Sequence, residues 1–235
     1  MKAIVCSDAH LDWTTLGKPR FDEVAQAFEQ AVDAAITNKC DRFFFLGDLC
    51  DPDRNLSVFK CVQFAIEMAL KLEEHHIISH WLAGNHDVIE DGSGTTTLTP
   101  LRPFQNGVYV NVHERPTTLL IGHDYTLIAL PFTASSHPYD PVEFVSRVPK
   151  HHRVVAIGHL NLAGIIPGEE TNEMPRGRDI QFPIEALREG RPDSLLLHGH
   201  YHRQQVYNGV HIPGSLCRLT FGEVSYTPSY LIVEM

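Results

Sequence analysis

The first third of the chain alternates short apolar runs with longer amphipathic segments, and this alternation constrains the fold more than any other feature. Apolar runs at 2–6, 42–46 and 77–83 predict three buried strands. Between them, 20–37 and 56–74 carry apolar residues at helical spacing, which predicts two amphipathic helices. Strands that alternate with helices in this way form a parallel sheet with right-handed crossovers. The pattern therefore predicts an α/β fold.

The rest of the chain is richer in short strands and turns than in helices. Strand candidates lie at 108–112, 117–121, 125–130, 153–157, 194–198, 204–207, 210–213 and 229–234. Helices are expected at 141–148 and 183–190, and long loops at 88–107 and 158–182. The pair Asn208-Gly209, between two short apolar runs, is typical of a two-residue hairpin turn. We expect one domain over residues 1–235, a β-sandwich with helices on its outer faces.

Composition argues against several classes of protein. The chain has 19 Lys and Arg against 29 Asp and Glu, a net charge of −10, which disfavours a broad basic surface for nucleic acid. Its five cysteines form no CxxC pair, so neither a disulfide framework nor a thiolate zinc site is expected. No apolar run reaches the ~18 residues of a membrane span, and the N-terminus lacks a signal-peptide pattern. We therefore expect a cytoplasmic protein with no membrane partner.

Five polar clusters stand directly after predicted strands, and they use several of the 15 histidines. They are Asp8-Ala9-His10, Gly47-Asp48-Leu49-Cys50-Asp51, Gly84-Asn85-His86-Asp87, Gly158-His159 and Gly199-His200-Tyr201-His202. The carboxyl ends of parallel strands meet at one edge of a sheet, so these side chains can share a small volume. One such cluster alone has an ordinary interpretation as a turn or a cap. Five in order, each after a strand, indicate a ligand site.

The residue types in these clusters suit metal ions. Carboxylate, imidazole and amide oxygen are suitable ligands for manganese, iron and zinc. Two metals close together need a bridging ligand, and a carboxylate such as Asp48 can supply two oxygens. Such a pair can bind phosphate oxygens and lower the pKa of a water. A histidine that is not a ligand can then protonate the leaving oxygen.

In these motifs the chain resembles the calcineurin-like metallophosphoesterase superfamily, and the resemblance covers nearly the whole sequence. It implies a four-layer αββα sandwich and two divalent metal ions as cofactors, with Mn²⁺ expected first and iron or zinc as alternatives. The implied ligands of one metal are Asp8, His10, Asp48 and His202. Those of the other are Asp48 as the bridge, Asn85, His159 and His200. His86 is implied to be the catalytic histidine, with Asp87 as the residue that positions it.

A narrower resemblance lies in the tail, which is similar to that of SbcD-type exonuclease subunits, the nuclease partners of SMC-like ATPases in break repair. There too the Gly-His-x-His block is followed by a Gly-Ser, an Arg and a Phe-Gly-Glu, here Gly214-Ser215, Arg218 and Phe221-Gly222-Glu223. Large members carry a capping domain and a segment that docks the ATPase, whereas 33 residues follow His202 here. The similarity implies an SMC-like ATPase as a partner, but the length of the chain does not support one.

We expect a dinuclear metal-dependent phosphodiesterase or nuclease with His86 as its general acid. The expected substrate is a phosphodiester in nucleic acid or a nucleotide, and the acidic charge favours small or single-stranded substrates. One alternative is a phosphomonoesterase that acts on proteins or nucleotides. Another is a binding scaffold similar to the retromer subunit, which keeps this fold without the catalytic histidine. The presence of His86 beside a full ligand set favours an enzyme.

The remaining histidines have ordinary structural interpretations. Surface positions are expected for His75, His76, His151 and His152, loops for His113 and His137, a hairpin turn for His123 and a core or interfacial strand position for His80. His198 neighbours the ligand blocks and is expected to orient ligands, a role that Asp12 and Asp51 could share.

Overall fold

The computed structural model describes residues 1–52, 57–106, 108–165 and 180–234. Two sheets form its centre. In the first sheet, four strands run parallel: β1 (Lys2–Cys6), β4 (Arg42–Phe45), β5 (Ile78–Leu82) and β6 (Val110–His113). A fifth strand, β13 (Leu231–Glu234), pairs antiparallel with β1, so the order is β13-β1-β4-β5-β6. A small hairpin of β2 (Thr14–Thr15) and β3 (Lys18–Pro19) follows β1 in the chain.

The second sheet is formed by the later strands. These are β7 (Thr117–Leu120), β8 (Tyr125–Leu130), β9 (Arg153–Gly158), β10 (Leu195–His198), β11 (Gln205–Tyr207) and β12 (Val210–Ile212). Their order is β11-β12-β10-β9-β8-β7, with the four inner strands parallel and each edge strand antiparallel to its neighbour. The turn between β11 and β12 has positive φ at Asn208 and Gly209, as a two-residue hairpin requires.

Helices cover the outer face of each sheet. The helices α1 (Phe21–Thr37) and α2 (Ser57–Glu74) share a core with the first sheet. The shorter helices α3 (Pro141–Ser146) and α4 (Ile184–Arg188) pack on the second sheet. Within the described ranges, no helix is both long and apolar enough to cross a membrane.

Strand β4 shows why the sheets stack face to face. Phe43 and Phe45 point toward α1 and α2, whereas Phe44 between them packs in a core shared by both sheets. Both faces of the strand are therefore apolar, as expected for a parallel strand covered on two sides. On the helix side, the ring of Phe28 stacks on Trp81 with centroids 5.9 Å apart, and each such buried ring contributes about 1.5–3 kcal/mol. The predicted four-layer αββα sandwich is confirmed.

The structure corrects two predictions about local structure. The loop expected at 88–107 contains a 3₁₀ helix at Thr99–Asn106, and its start is held by a bridge between Val88 and Thr96. His113, expected in a loop, is buried at the end of β6, where its ring stacks on that of His80. Its neighbours Leu82 and His80 lie on β5, so its own segment carries no signal of these contacts. Most of the loop expected at 158–182 lies outside the described residues.

Candidate metal centre

All five polar clusters lie at one edge of the sandwich, where carboxyl ends of strands from both sheets meet. Asp8 follows β1 in the first sheet, and His200 follows β10 in the second. The backbone N–H of His200 donates to both carboxylate oxygens of Asp8 at 3.1 Å. The Nδ1–H of His159 donates to the carbonyl of Leu46 at 2.6 Å. These bonds connect the two sheets at the site itself.

Four of the residues at this edge have left-handed backbone, which is rare for residues other than glycine. They are Asp8 (φ 52°), His10 (44°), Asp48 (60°) and His200 (76°). Each such conformation costs on the order of 1 kcal/mol or more, and strain of this kind concentrates at functional sites. The surrounding hydrogen bonds therefore hold these residues in a backbone conformation that their local preferences disfavour.

Two glycines make room for this arrangement. A Cβ atom on Gly84 would collide with the Asp48 carboxylate, and one on Gly47 would collide with the ring of His159. Gly47 also has φ 101°, a conformation that side chains rarely adopt. The glycines that precede Asp48 and Asn85 are therefore required by close approach at the site.

A first group of buried side chains consists of Asp8, His10 and His202. The Nδ1–H of His202 donates to Glu223 at 2.8 Å. A carboxylate can only accept here, so Nδ1 carries the proton of the neutral ring. The Nε2 atom of His202 then carries a lone pair. That atom lies 3.2 Å from Nε2 of His10. The two imidazoles thus meet nitrogen to nitrogen.

A second group consists of Asn85, His159 and His200. The Nε2 atom of His159 lies 3.1 Å from Oδ1 of Asn85, and Nδ1 of His200 lies 3.0 Å from the same oxygen. Because Nδ1 of His159 donates to a carbonyl, its Nε2 offers a lone pair in the neutral ring. The group therefore brings one amide oxygen and two imidazole nitrogens to one point.

Asp48 lies between the two groups. Its Oδ2 is 3.2 Å from Nε2 of His159 and 3.7 Å from Nε2 of His10. Its Oδ1 accepts the backbone N–H of His86 at 2.9 Å. Burial raises the pKa of the Asp48 carboxyl, but in the metal-free protein the positive charges of the protonated His159 and His86 rings outweigh burial and hold that pKa well below its ordinary value. Asp48 is thus an ionised carboxylate in contact with both groups of side chains.

This arrangement fits divalent cations. Adjacent ligands that surround one ion at about 2.1 Å lie roughly 3 Å apart. The atoms of His159, Asn85 and His200 meet at 3.0–3.1 Å, and His10 and His202 meet at 3.2 Å. Lone pairs that face one another repel unless a proton or a cation lies between them. The donor set of carboxylate, imidazole and amide oxygen is that of manganese, iron or zinc.

His86 stands at the rim of this centre. A nitrogen of its ring lies within 4.8 Å of possible ligand atoms on His10 and Asp48. Its Nδ1–H donates to Oδ1 of Asp51 at 2.7 Å, and its side chain is 30% exposed, in contrast to the deeply buried side chains of His10 and Asp48. Burial lowers the pKa of His86, but the carboxylates of Asp48 and Asp51 raise it to about 10. The ring is therefore held by a carboxylate and can be reached from solvent.

The prediction that Asp87 positions His86 is wrong. The carboxylate of Asp87 accepts the backbone N–H groups of Gly84, Asp48 and Leu49 at 2.8–2.9 Å and the hydroxyl of Thr97 at 2.5 Å. With four donors it is fully engaged in shaping the turns that carry Asp48 and Asn85. Asp51, which follows β4 in the chain, takes the place beside the imidazole, since its Oδ1 accepts the Nδ1–H of His86.

Comparison with known proteins identifies the family. The model of the family Calcineurin-like phosphoesterase matches residues 1–204. The chain belongs to the calcineurin-like phosphoesterase family. Members of this family typically bind two divalent metals, and the buried His and Asp groups described above could hold them. A comparison with curated proteins gives no significant match.

Solved structures of this phosphoesterase fold are similar to the chain at low sequence identity. A dimetal phosphatase from Danio rerio is 11% identical over 92% of this chain and 87% of its own, with a TM-score of 0.57. The phosphopantetheinyl hydrolase of Mycobacterium tuberculosis is 12% identical over 91% of this chain and 88% of its own, with a TM-score of 0.49. A phosphoesterase from E. coli is 15% identical over 100% of this chain and 88% of its own, with a TM-score of 0.41. The first of these shows a shared fold.

Two residues outside the ligand blocks shape the centre. His198, expected to orient ligands, donates its Nδ1–H to the carbonyl of Gly199 at 2.7 Å and accepts the N–H of Leu160 at 3.0 Å. It therefore ties the backbone beside His200 to the backbone beside His159, and burial lowers its pKa to about 3, so the ring stays neutral. The role of Glu223 at His202 was not predicted. Its only signal in the sequence was its place in the Phe-Gly-Glu motif.

The other predicted positions agree with the structure in part. His75, His76 and His151 are exposed, and His152 is half-buried with its ring near the hydroxyl of Thr126. His123 is exposed beside Asp124 in the turn before β8 and takes no part in the centre.

Proposed function

We propose that this phosphoesterase is a dinuclear metal-dependent phosphodiesterase that acts on nucleic acid or nucleotides. The observation that carries the proposal is the position of His86 and its Asp51 partner at the rim of a centre with two groups of ligand atoms. A solvent-accessible acid beside the metals suits substrates whose leaving oxygen must be protonated, as the alkoxide of a phosphodiester must.

The ligand assignment is part of the proposal. One metal is held by Asp8, His10, Asp48 and His202, and the other by Asp48, Asn85, His159 and His200. The contacts of Asp48 with both groups support its role as the bridge. When bound, the two ions supply Lewis acidity for the phosphate and lower the pKa of a water.

The side chains around the ions then have separate tasks. Asp48 keeps its negative charge between the groups. His86 donates the proton from Nε2 to the departing oxygen, because its Nδ1 is already engaged with Asp51. Asp51 holds the ring in this orientation and favours its protonated form.

The tail segment supports a diester substrate over a monoester. Two residues of the Gly-Ser and Phe-Gly-Glu motifs that the chain shares with SbcD-type nucleases, Ser215 and Glu223, lie beside the centre. Ser215 forms a bridge with Ser7, one residue before Asp8, and Glu223 contacts His202. The narrower resemblance thus concerns residues at the site and not a distant surface. The net charge of −10 favours a short or single-stranded substrate over a long duplex.

We further propose Mn²⁺ as the metal and the cytoplasm as the compartment. The five cysteines are buried and free, as expected in a reducing environment. The SbcD-type resemblance supports an SMC-like ATPase partner less strongly than it supports a phosphodiester substrate.

The test is hydrolysis of matched substrates after loading with Mn²⁺. We expect bis-p-nitrophenyl phosphate to be cleaved with a higher kcat/KM than p-nitrophenyl phosphate, and single-stranded DNA or a cyclic nucleotide to be cleaved in preference to a phosphopeptide. A preference for the monoester and the phosphopeptide would identify a phosphomonoesterase. No hydrolysis of any substrate by a protein that holds two metals would indicate a scaffold.

A further inference from the structure

Glu223 is a buried carboxylate that contacts the metal centre from outside the set of candidate ligands. It is fully buried in the 3₁₀ helix Phe221–Ser225, beyond the strands that carry the ligands. Its Oε1 accepts the Nδ1–H of His202 at 2.8 Å. Its Oε2 accepts the backbone N–H groups of Leu219 at 2.5 Å and Thr220 at 3.3 Å. The two oxygens thus contact different groups.

We infer that Glu223 is a positioning residue that fixes the tautomer of His202 and thereby sets the affinity of the metal site that His202 serves. The inference rests on the proposed metal centre. An imidazole can bind a metal only through a nitrogen without a proton. Because Oε1 holds the proton of the neutral ring on Nδ1, the Nε2 atom that faces His10 at 3.2 Å carries a lone pair in place of a proton. Carboxylates that orient histidine ligands in this way typically change metal affinity 10–100-fold when mutated.

The alternative is that Glu223 only satisfies backbone donors at the start of its helix. The two tasks can be separated by Glu223→Gln, because glutamine has the same shape but only one acceptor oxygen. Two backbone N–H groups face the position of Oε2, so the amide oxygen is retained there. The NH₂ group is then directed at Nδ1 of His202 and donates to it. The proton of the neutral ring moves to Nε2, where it blocks the metal.

The experiment measures Mn²⁺ binding to metal-free protein by calorimetry, with no substrate present. For Glu223→Gln we expect a 10–100-fold loss of affinity at one site and no change at the other, with little change in the melting temperature of the metal-free protein. Phe221→Ala is the matched control, since that side chain is 74% exposed on the same helix. It should leave both affinities unchanged.

A double-mutant cycle tests whether Glu223 acts through His202. In a His202→Ala background, Glu223→Gln should cause no further loss of Mn²⁺ affinity. A further loss of the same size would show that Glu223 acts on the fold and would overturn the inference. Two wild-type affinities in Glu223→Gln would overturn it as well.

A spectroscopic measurement on the wild-type chain does not depend on a folded Glu223 variant. Nitrogen-15 NMR of the metal-free protein should show His202 protonated at Nδ1, with its signal identified by comparison with His202→Ala. A ring protonated only at Nε2 would contradict the inference. If wild-type protein binds fewer than two Mn²⁺ ions while His202 is protonated at Nδ1, the failure lies in the proposed dinuclear centre and not in the contact with Glu223.

Discussion

At the scale of single residues, the chemistry of His159 and His86 depends on the partner of the Nδ1 atom in each ring. In His159 this atom donates to the carbonyl of Leu46, and in His86 it donates to the carboxylate of Asp51. Each acceptor fixes which nitrogen remains free and where it points. The same type of side chain therefore becomes a candidate ligand deep in the centre and a proposed proton donor at its rim.

His86→Gln should keep the fold and both metals and lower kcat by roughly 10²–10⁴-fold, the usual effect of removing a general acid or base. The loss should be much smaller for a substrate with p-nitrophenolate as the leaving group, which needs little protonation. The measurement is kcat on a series of phosphodiesters with leaving groups of rising pKa, alongside metal analysis. Equal losses across the series would reject the role as an acid, and a missing metal would make His86 a ligand.

Asp51 and Asp87 offer a matched pair of substitutions next to His86. Asp51→Asn should lower kcat with metal content and stability nearly unchanged, because its carboxylate contacts the ring of His86. Asp87→Asn should instead lower the free energy of unfolding by about 1–3 kcal/mol, since the carboxylate serves three backbone donors. Urea unfolding and kinetics on both variants separate the two roles. The reverse pattern would restore Asp87 as the positioning residue.

Asp48→Asn should remove most activity and reduce metal occupancy, because the substitution takes away the negative charge shared by both groups. Elemental analysis after Mn²⁺ loading and dialysis measures the effect. Two retained metals with unchanged affinity would show that Asp48 is not the bridge.

At the scale of elements, the site depends on turns that are tighter than most side chains allow. The turn after β5 passes so close to the turn after β4 that Gly84 lies against the Asp48 carboxylate. The carboxylate of Asp87 draws these turns together by accepting N–H groups from both. The ends of β4 and β5 therefore form one unit, and a change in either turn alters the centre.

Gly84→Ala should disrupt this unit, because the new Cβ would collide with the carboxylate and the backbone nitrogen of Asp48. We expect Mn²⁺ affinity to fall at least tenfold and the protein to be destabilised by about 1–3 kcal/mol, the usual cost of overpacking. Gly122→Ala is the control, since its Cβ would meet only Tyr125 at an ordinary 3.7 Å. Calorimetry on both variants gives the comparison, and equal behaviour would show that the close approach is unimportant.

At the scale of the whole molecule, a partly buried chain of polar side chains joins the two sheets away from the candidate metal centre. Arg42 on β4 contacts the ring of His80 at 2.9 Å and donates to the carbonyl of Ile121, which lies beside the second sheet. Nδ1 of His80 lies 3.1 Å from Nε2 of His113. Burial holds the pKa of His80 well below its ordinary value and lowers that of His113 to about 4. Both rings are therefore neutral in the folded protein.

These two histidines should make the stability of the metal-free protein depend on pH. In the unfolded chain they gain protons near pH 6.5, whereas in the folded chain His113 does so only near pH 4. Stability is thus fully present above about pH 6.5 and is lost as the pH falls toward 4, by about 3 kcal/mol from His113 alone. Urea unfolding between pH 4 and 7.5 should show a smaller decline in a His80→Gln, His113→Gln double variant. An identical decline in both proteins would contradict this prediction.

The apolar periodicity of the sequence and the polar residues after its strands were sufficient to predict the layers of the fold and the location of the candidate site. Apolar residues on both faces of β4, and helical spacing in 20–37, follow from local sequence because burial imposes its period on the chain. Parallel pairing aligns the strand ends within each sheet, whereas the stacking of the two sheets brings the two sets of ends together. The helices at 141–148 and 183–190 are shorter than predicted, since helix ends depend on local capping.

What the sequence by itself determined is the set of side chains at the carboxyl edge of a layered α/β sandwich. Only the tertiary structure decided which atoms meet there. The partner of His86 is Asp51 and not its neighbour Asp87, and the partner of His202 is Glu223, 21 residues farther along the chain. Neither contact follows from spacing, because a hydrogen bond depends on how separate turns fold over one another. For the same reason His113 is buried, although nothing in its own segment indicates the neighbours that cover it.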